Sequence, residues 1–166
     1  VIWDACTGSG CIALAIKSLK SEARIVASDI SQGAIDTAKI NGEKNDLQVD
    51  FHCSDVMKNP LFLEPLDAII SNPPYIPNAD KAEMLGNVLE YEPHLALFVE
   101  NKDPLVFYRR IAEIGKEKLK DKGRLFFEIH ERFESEMVDL LTTLSYSEIQ
   151  VKTDLQGKAR MMMATK

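Results

Sequence analysis

Residues 71–75, Ser-Asn-Pro-Pro-Tyr, carry the sharpest chemical signal in the chain. Two consecutive prolines fix φ and remove two N–H donors, which leaves a stiff segment whose carbonyls can accept hydrogen bonds. The side-chain oxygen of Asn72 and the carbonyl of Pro73 can both accept from one planar NH₂ group, and Tyr75 can stack on a flat substrate. Such a site suits an amide or an aromatic amine, which is a weak nucleophile because its lone pair is delocalised. The plainer interpretation is a Pro-Pro turn that contains an asparagine by chance.

A glycine-rich segment, residues 4–13, follows a strand-like run and opens a helix-like one. Gly8 and Gly10 permit backbone conformations and a close ligand approach that a side chain would block, and a helix start offers unpaired N–H groups. Nineteen residues beyond Gly10, Asp29 stands where an acid can accept hydrogen bonds from two ribose hydroxyls. The spacing also satisfies the dinucleotide fingerprint G-x-G-x-x-G/A. A tight strand-to-helix turn with a surface aspartate is the alternative without function.

A second acid, Asp55, is expected at the carboxyl end of the third strand. Ligands of open α/β sheets bind outside these strand ends, so Asp29 and Asp55 could hold the ribose and the exocyclic amine of one adenosine. Asp55 could equally cap the turn that follows it. Glu92 has two comparable interpretations: it could orient Asn72 or the substrate, or it could cap a turn.

Short apolar runs alternate with helix-patterned stretches, which predicts an α/β fold with a mostly parallel sheet and helices on both faces. Strands are expected over residues 1–3, 25–29, 49–53, 66–71 and 124–129, followed by an antiparallel hairpin of strands near 149–153 and 161–165. Helices are expected over residues 10–19, from a Ser31 N-cap through Ile40, over 104–119 with Gly123 closing the helix, and over 134–144. The one long irregular stretch, about residues 73–104, is typical of functional loops.

The composition is typical of one soluble globular domain. The chain has 166 residues, of which 45% are hydrophobic and 28% charged, and 20 basic against 26 acidic residues give a net charge of −6. This balance argues against broad nucleic-acid binding, which needs a basic face. No apolar run is long enough to span a membrane. Three cysteines, Cys6, Cys11 and Cys53, suit neither a disulfide framework nor a zinc site, so we expect a cytoplasmic protein without a metal.

Several of these motifs together resemble a known enzyme class. Asp4 with residues 8–10, Asp29, Asp55 and residues 72–75 are similar to the motifs of class I S-adenosylmethionine-dependent methyltransferases that act on planar amines. Within that class, residues 72–77, the segment 91–97 with Glu92-Pro93, and the closing turn with Asp154, Gly157 and Arg160 resemble the glutamine methyltransferases of peptide chain release factors, the HemK/PrmC family. The resemblance covers essentially the whole chain. The Asn-Pro-Pro-Tyr motif is shared with adenine methyltransferases, whereas the other two elements are more particular.

The resemblance implies a Rossmann-like fold with a seven-stranded sheet, and S-adenosyl-L-methionine as the cofactor. The residues implied to bind the cofactor are Cys6, Thr7, Gly8, Ser9, Gly10, Asp29, Ile30, Asp55, Val56 and Asn72. Asp29 would bind the ribose hydroxyls, and Asp55 with Val56 would lie near the adenine. The implied catalytic residues are Asn72, Pro73 and Tyr75, and these form the substrate site together with Pro74 and Glu92.

The implied substrate is a release factor, which would place the enzyme in translation termination. The glutamine amide of a Gly-Gly-Gln loop would attack the methyl group in line, with no metal and no covalent intermediate. No membrane and no direct nucleic-acid partner is implied. Residues 1–166 would form the catalytic domain, as a fragment without the N-terminal helical domain that helps family members dock the release factor.

Two positions differ from the family pattern within the domain. Cys6 stands where the family often has glycine, so we expect a stiffer loop there. Residues 128–130, Glu-Ile-His, replace the usual Glu-x-Gly, and His130 is therefore expected to adopt a glycine-like turn at some cost.

The sequence leaves other functions open. Methylation of an exocyclic adenine amine in RNA or DNA would keep the cofactor, with Tyr75 stacking on a flipped base, but the net charge of −6 disfavours it. A ribosomal-protein glutamine methyltransferase is closer still. A nicotinamide dehydrogenase would leave residues 72–75 unexplained. A non-catalytic binding module is disfavoured by the presence of Gly8, Gly10, Asp29 and Asn72.

Overall fold

A computed structural model describes residues 1–58, 64–74, 76–77, 98–99 and 103–166 of the chain. In chain order the elements are β1 Ile2–Ala5, α1 Cys11–Leu19, β2 Ile25–Asp29, α2 Gln32–Lys44, β3 Asp50–Cys53, β4 Leu66–Ser71, β5 Ile76–Pro77, β6 Phe98–Val99, α3 Val106–Lys118, β7 Leu119–Glu128, a 3₁₀ turn Glu131–Phe133, α4 Glu134–Thr143, β8 Ser147–Thr153 and β9 Ala159–Thr165. Within the described ranges, no helix is long and apolar enough to cross a membrane.

The strands of the described residues form a seven-stranded sheet of order β3-β2-β1-β4-β7-β9-β8 and a two-stranded sheet of β5 and β6. From β3 to β7 each strand is parallel to its neighbour, whereas β9 is antiparallel to both β7 and β8. The predicted parallel sheet with a closing antiparallel hairpin is therefore confirmed. The chain order reverses between β1 and β4, and this is the point at which open α/β sheets bind ligands.

Successive residues along the strands enter two separate apolar layers, one on each face of the sheet. Val26 belongs to the larger layer, together with Ile111 of α3. Its neighbours Ile25 and Ala27 pack on the opposite face against Ala13 of α1. Because side chains alternate across a strand, this division shows that helices cover both faces, as the sequence predicts.

The prediction that Gly123 closes α3 is wrong. The helix ends at Lys118, and Leu119 already pairs with Leu66 at the start of β7. Gly123 lies inside that strand, where the register against β4 shifts. A Cβ atom at Gly123 would lie 2.8 Å from the carbonyl oxygen of Lys120, so glycine permits a tight irregularity within the strand instead of a helix end.

The expected backbone cost at His130 is also absent. His130 has φ −77° and ψ 133°, an ordinary extended conformation. Its Nδ1 accepts a hydrogen bond from the N–H of Arg132 at 3.2 Å, so the imidazole caps the 3₁₀ turn. A glycine could not supply this acceptor, which gives a physical reason for histidine at this position.

Most of the long irregular stretch predicted over residues 73–104 lies outside the described residues. Within it, β5 and β6 pair in parallel, with Ile76 opposite Phe98 and Pro77 opposite Val99.

A fully buried carboxyl lies where β1 runs into the glycine-rich segment. Oδ2 of Asp4 accepts hydrogen bonds from the Thr7 hydroxyl at 2.5 Å and from the N–H of Ala13 at 3.1 Å. In the part of the chain that the structure describes, Oδ1 has no hydrogen-bond partner. Burial raises the pKa of Asp4 from 3.8 to about 7, against the lowering effect of the two hydrogen bonds, and the nearby Asp29 adds to the rise.

We expect the Asp4→Asn substitution to change how stability depends on pH. The unfolded carboxyl ionises near 3.8 and the folded one near 7, so between these values the folded chain holds a proton that the unfolded chain releases. As pH rises from about 4 to 7, the unfolding free energy of the wild type should fall relative to Asp4→Asn, by up to roughly 4 kcal/mol. Urea unfolding of both proteins between about pH 4 and 8 measures the difference.

The matched control is Asp154→Asn. The pKa of Asp154 is lowered, chiefly by the N–H of Lys158, so its folded and unfolded forms are both ionised above about pH 5. The difference between this variant and the wild type should stay constant from there to about pH 8. A constant difference for Asp4→Asn over the same range would contradict the raised pKa of Asp4.

Candidate functional site

Four strand ends meet at the carboxyl edge of the large sheet and bring the predicted residues together. Because β3, β2, β1 and β4 are parallel neighbours, the segments that follow them lie side by side. Three hydrogen bonds join the neighbouring ends: Ser54 N–H to the Asp29 carbonyl at 2.8 Å, Gly8 N–H to the Asp29 carboxylate at 2.9 Å, and the Ser71 hydroxyl to the Ala5 carbonyl at 2.7 Å. The predicted residues therefore share one continuous edge.

The glycine segment of residues 6–10 needs glycine at two positions, for different reasons. Gly8 and Gly10 have φ of +56° and +83°, in the left-handed region. A Cβ at Gly10 would lie 3.0 Å from Cβ of Ala38, so glycine lets the segment approach α2. A Cβ at Gly8 would meet nothing within 4 Å, so the Gly8 backbone borders open space that a ligand can occupy.

Contacts with neighbouring elements hold the rest of the glycine segment. The N–H of Thr7 donates to the Ser28 carbonyl at 2.9 Å, and the Ser9 carbonyl accepts from the Asn41 side-chain amide at 3.0 Å. The segment is therefore fixed before any ligand binds, at its inner end by β2 and at its outer end by α2.

Cys6 adopts φ +60°, which accounts for the glycine that the family often has at this position. Burial of its thiol, followed by the negative charges of Asp29 and Asp4, raises the pKa of Cys6 to about 12. The thiol is therefore protonated at neutral pH and is not a nucleophile. The expectation of a stiffer loop stays a prediction.

Asp29 is positioned to bind a diol. Its Oδ2 accepts from the N–H of Gly8 and its Oδ1 from the N–H of Ser31, both at 2.9 Å. Each carboxylate oxygen has a second acceptor position, so both oxygens can accept a further hydroxyl. The next residue, Ile30, leaves 55% of its surface exposed, and its contact with the cofactor stays a prediction.

Asp55 caps the turn after β3, the plainer of its two interpretations. Its Oδ1 accepts from the N–H of Met57 at 2.9 Å, and its Oδ2 lies 3.3 Å from Nζ of Lys58. Val56 is buried, and its carbonyl accepts from Nε of Arg110 on α3 at 3.3 Å. A capping carboxylate keeps further acceptor positions, so contact of Asp55 and Val56 with an adenine stays a prediction.

Asn72 directly follows β4, and its side chain is exposed. The next two residues, Pro73 and Pro74, are buried. Ser71 pairs with Ala5 of β1 and with Phe127 of β7, so the segment is flanked on both sides at the centre of the sheet. Tyr75 and Glu92 lie outside the described residues, and their predicted roles stay predictions.

Three residues that shape this edge were not among those predicted to bind cofactor or substrate, although Asp4 and Ser71 belong to motifs named in the sequence analysis. Asp4 brackets the glycine segment, and its signal in the sequence is an acid at the end of an apolar run. The Ser71 hydroxyl joins β4 to β1 by a hydrogen bond. In the sequence, the only sign of this role is the position of Ser71 directly before Asn72. Arg110 has no local signal, because its contact with Val56 joins residues 54 positions apart.

Known proteins are similar in sequence to this chain over nearly all of its length. The release factor glutamine methyltransferase of Bacteroides thetaiotaomicron is 42% identical over 164 residues, which cover 98% of this chain and 59% of that protein. The enzyme of the same name from Flavobacterium psychrophilum is 40% identical over 161 residues, which cover 97% and 56%. The chain therefore spans less than three fifths of the length of these curated relatives.

A solved structure confirms the fold. The crystal structure of a methyltransferase from Pyrococcus furiosus matches with a TM-score of 0.75 and 16% identity, covering 100% of this chain and 74% of that chain. At this identity the likeness shows the architecture alone. Together with the other solved structures that are similar to this chain, it identifies the seven-stranded sheet as the class I methyltransferase fold.

The family assignment comes from the first half of the chain. Residues 1–91 match the model of the family described as Methyltransferase small domain. These residues include the glycine segment, Asp29, Asp55 and Asn72, which are the residues that meet at the carboxyl edge. Because the match covers more than half of the 166 residues, this protein belongs to the methyltransferase small domain family.

Proposed function

We propose that residues 1–166 form the catalytic domain of an S-adenosyl-L-methionine-dependent protein-glutamine N-methyltransferase. The proposed substrate is the glutamine of the Gly-Gly-Gln loop in a peptide chain release factor. The observation that carries the proposal is the pairing of Ala5 on β1 with Ser71 on β4. This pairing sets the glycine segment beside Asn72, at the point where the strand order reverses.

The residues at the edge fit this cofactor in shape and in charge. Gly8 borders open space, Asp29 keeps acceptor positions for a ribose, and Ile30 exposes an apolar side chain beside it. Asp4 adds a buried carboxyl oxygen that has no partner within the described residues. A ligand that combines a ribose, a flat base and positive charge complements this set.

The proposed mechanism assigns positioning to the chain and methyl donation to the cofactor. When bound, the cofactor supplies an electrophilic methyl group on a sulfonium centre. Asn72 Oδ1 and the Pro73 carbonyl accept hydrogen bonds from the two N–H groups of the glutamine amide, which fixes the nitrogen and stabilises positive charge as it develops there. The methylated nitrogen then loses one proton to solvent and becomes a neutral amide. The buried prolines restrict the backbone on which both acceptors depend.

The choice of substrate and location is supported by the relatives. Two proteins at 42% and 40% identity are named release factor glutamine methyltransferases, and a release factor is a soluble protein of the translation machinery. Cys6, Cys11 and Cys53 form no disulfide within the described residues, and the location that we propose is the cytoplasm.

The substrate is tested by mass spectrometry of a release factor, a ribosomal protein and a tRNA, each incubated with this protein and S-adenosyl-L-methionine. We expect one methyl group on the glutamine of the release factor's Gly-Gly-Gln loop, because the site presents acceptors for one NH₂ group. Methylation confined to the ribosomal protein or to adenine in the tRNA would contradict the proposed substrate. No methylation of any of the three would contradict the proposed function as a whole.

Asp29→Ala should weaken cofactor binding by about 1.5–3 kcal/mol, because it removes a charged acceptor of hydrogen bonds. Isothermal titration calorimetry with S-adenosyl-L-methionine measures the change. Asp36→Ala is the control, since Asp36 is an exposed acid on α2 whose carboxylate accepts from the Gln32 amide. Equal affinities in the wild type and in Asp29→Ala would remove Asp29 from the site.

Asn72→Ala should abolish turnover and leave cofactor affinity nearly intact, because the lost acceptor serves the NH₂ group of the substrate. Single-turnover methylation of the release factor and calorimetric titration of the cofactor separate the two effects. Asn45→Ala offers a matched loss of an exposed amide, at the end of α2, and should change neither. Undiminished turnover in Asn72→Ala would refute the mechanism.

A further inference from the structure

The Ser71 side chain links the two strands that carry the proposed cofactor and substrate segments. Ser71 is 1% exposed, and its hydroxyl donates to the Ala5 carbonyl at 2.7 Å. Ser71 and Ala5 are the last paired residues of β4 and β1. The hydrogen bond therefore lies immediately before the points where the two segments diverge, at Cys6 and at Asn72.

A side-chain hydrogen-bond donor is needed at Ser71 because the main chain has no N–H donors at residues 73 and 74. Pro73 and Pro74 have no N–H group, so the segment after β4 cannot extend the hydrogen-bonded ladder toward β1. Both prolines are buried. The Ser71 hydroxyl thus supplies a hydrogen bond between β4 and β1 that needs no main-chain N–H group.

The cofactor side of this edge begins one residue beyond the partner of Ser71. Cys6 directly follows Ala5, which pairs with Ser71, and its backbone is held at φ +60°. A left-handed, non-glycine residue persists only where its surroundings constrain it. Ser71 is therefore packed between the start of the glycine segment and the start of the proposed substrate segment.

We propose that Ser71 is a positioning residue for methyl transfer: through its bond to Ala5 it fixes the distance between Asn72 and the glycine segment. This inference rests on the proposed function. Displacement of a reacting group by about 1 Å can lower a rate by about 100-fold. Loss of the hydroxyl should therefore slow the chemical step more than it weakens either binding event.

Steady-state methylation of a release factor tests the inference, with cofactor affinity measured by calorimetry and stability by urea unfolding. Ser71→Ala should lower kcat at least about tenfold, with KM and cofactor Kd changed less than about threefold. Ser71→Thr, which restores the hydroxyl, should recover most of kcat. The control is Ser147→Ala. The Ser147 hydroxyl also donates to a carbonyl on a neighbouring strand, that of Thr165 at 3.2 Å, but this bond lies at the end of the sheet opposite to the proposed site. Its kcat should equal that of the wild type.

The outcomes separate this inference from the function on which it rests. A wild-type protein that methylates no release factor would overturn both. An active wild type together with an unchanged kcat in Ser71→Ala would overturn the positioning role alone. The same conclusion would follow if Ser71→Thr were as slow as Ser71→Ala, or if Ser147→Ala lost as much kcat, since packing or general destabilisation would then explain the effect.

Discussion

The buried carboxyl of Asp4 is the contact on which the arrangement of the site depends. One of its oxygens holds the Thr7 hydroxyl and the N–H of Ala13, so it joins the glycine segment to the first turn of α1. Outside the segment, Asp29 binds the N–H of Gly8. The segment therefore lies between two carboxyls, one within the sheet and one at its edge. Burying the first is unfavourable when it is charged, as its raised pKa shows, so this geometry is maintained at some expense in stability above neutral pH.

The same carboxyls determine which ligands the edge favours. Burial is the main cause of the raised pKa of the Cys6 thiol, and the nearby carboxyls of Asp29, Asp4 and Asp55 add to it. The negative potential of these carboxyls favours a cation and disfavours the pyrophosphate of a nicotinamide dinucleotide. The fingerprint G-x-G-x-x-A with a following acid is compatible with both ligands on spacing alone, whereas the two carboxyls that contact the glycine segment favour the cation.

Much of this arrangement can be predicted from local sequence, because its determinants are local. Gly8 and Gly10 mark the tight turn, Ser31 marks a helix start, and apolar periodicity marks the strands that place Asp29 and Asn72 at one edge. Features that depend on distant residues could not be predicted in this way. The capping role of His130 depends on a turn formed only in the fold, Gly123 permits an irregularity against β4, and the Arg110 contact with Val56 spans 54 positions.

The proposed substrate segment, residues 71–74, lacks two main-chain N–H donors. Pro73 and Pro74 remove two N–H groups, and the Ser71 hydroxyl donates to Ala5, so the Asn72 side chain and the Pro73 carbonyl leave acceptors there. A planar NH₂ group, with two donors, is the complement of two acceptors. Glutamine and adenine both present such a group, and the net charge of −6 distinguishes them. A polynucleotide would bring its phosphates toward an acidic chain, whereas an exposed glutamine loop on a protein carries no such requirement, so electrostatics supports the proposed protein amide over adenine.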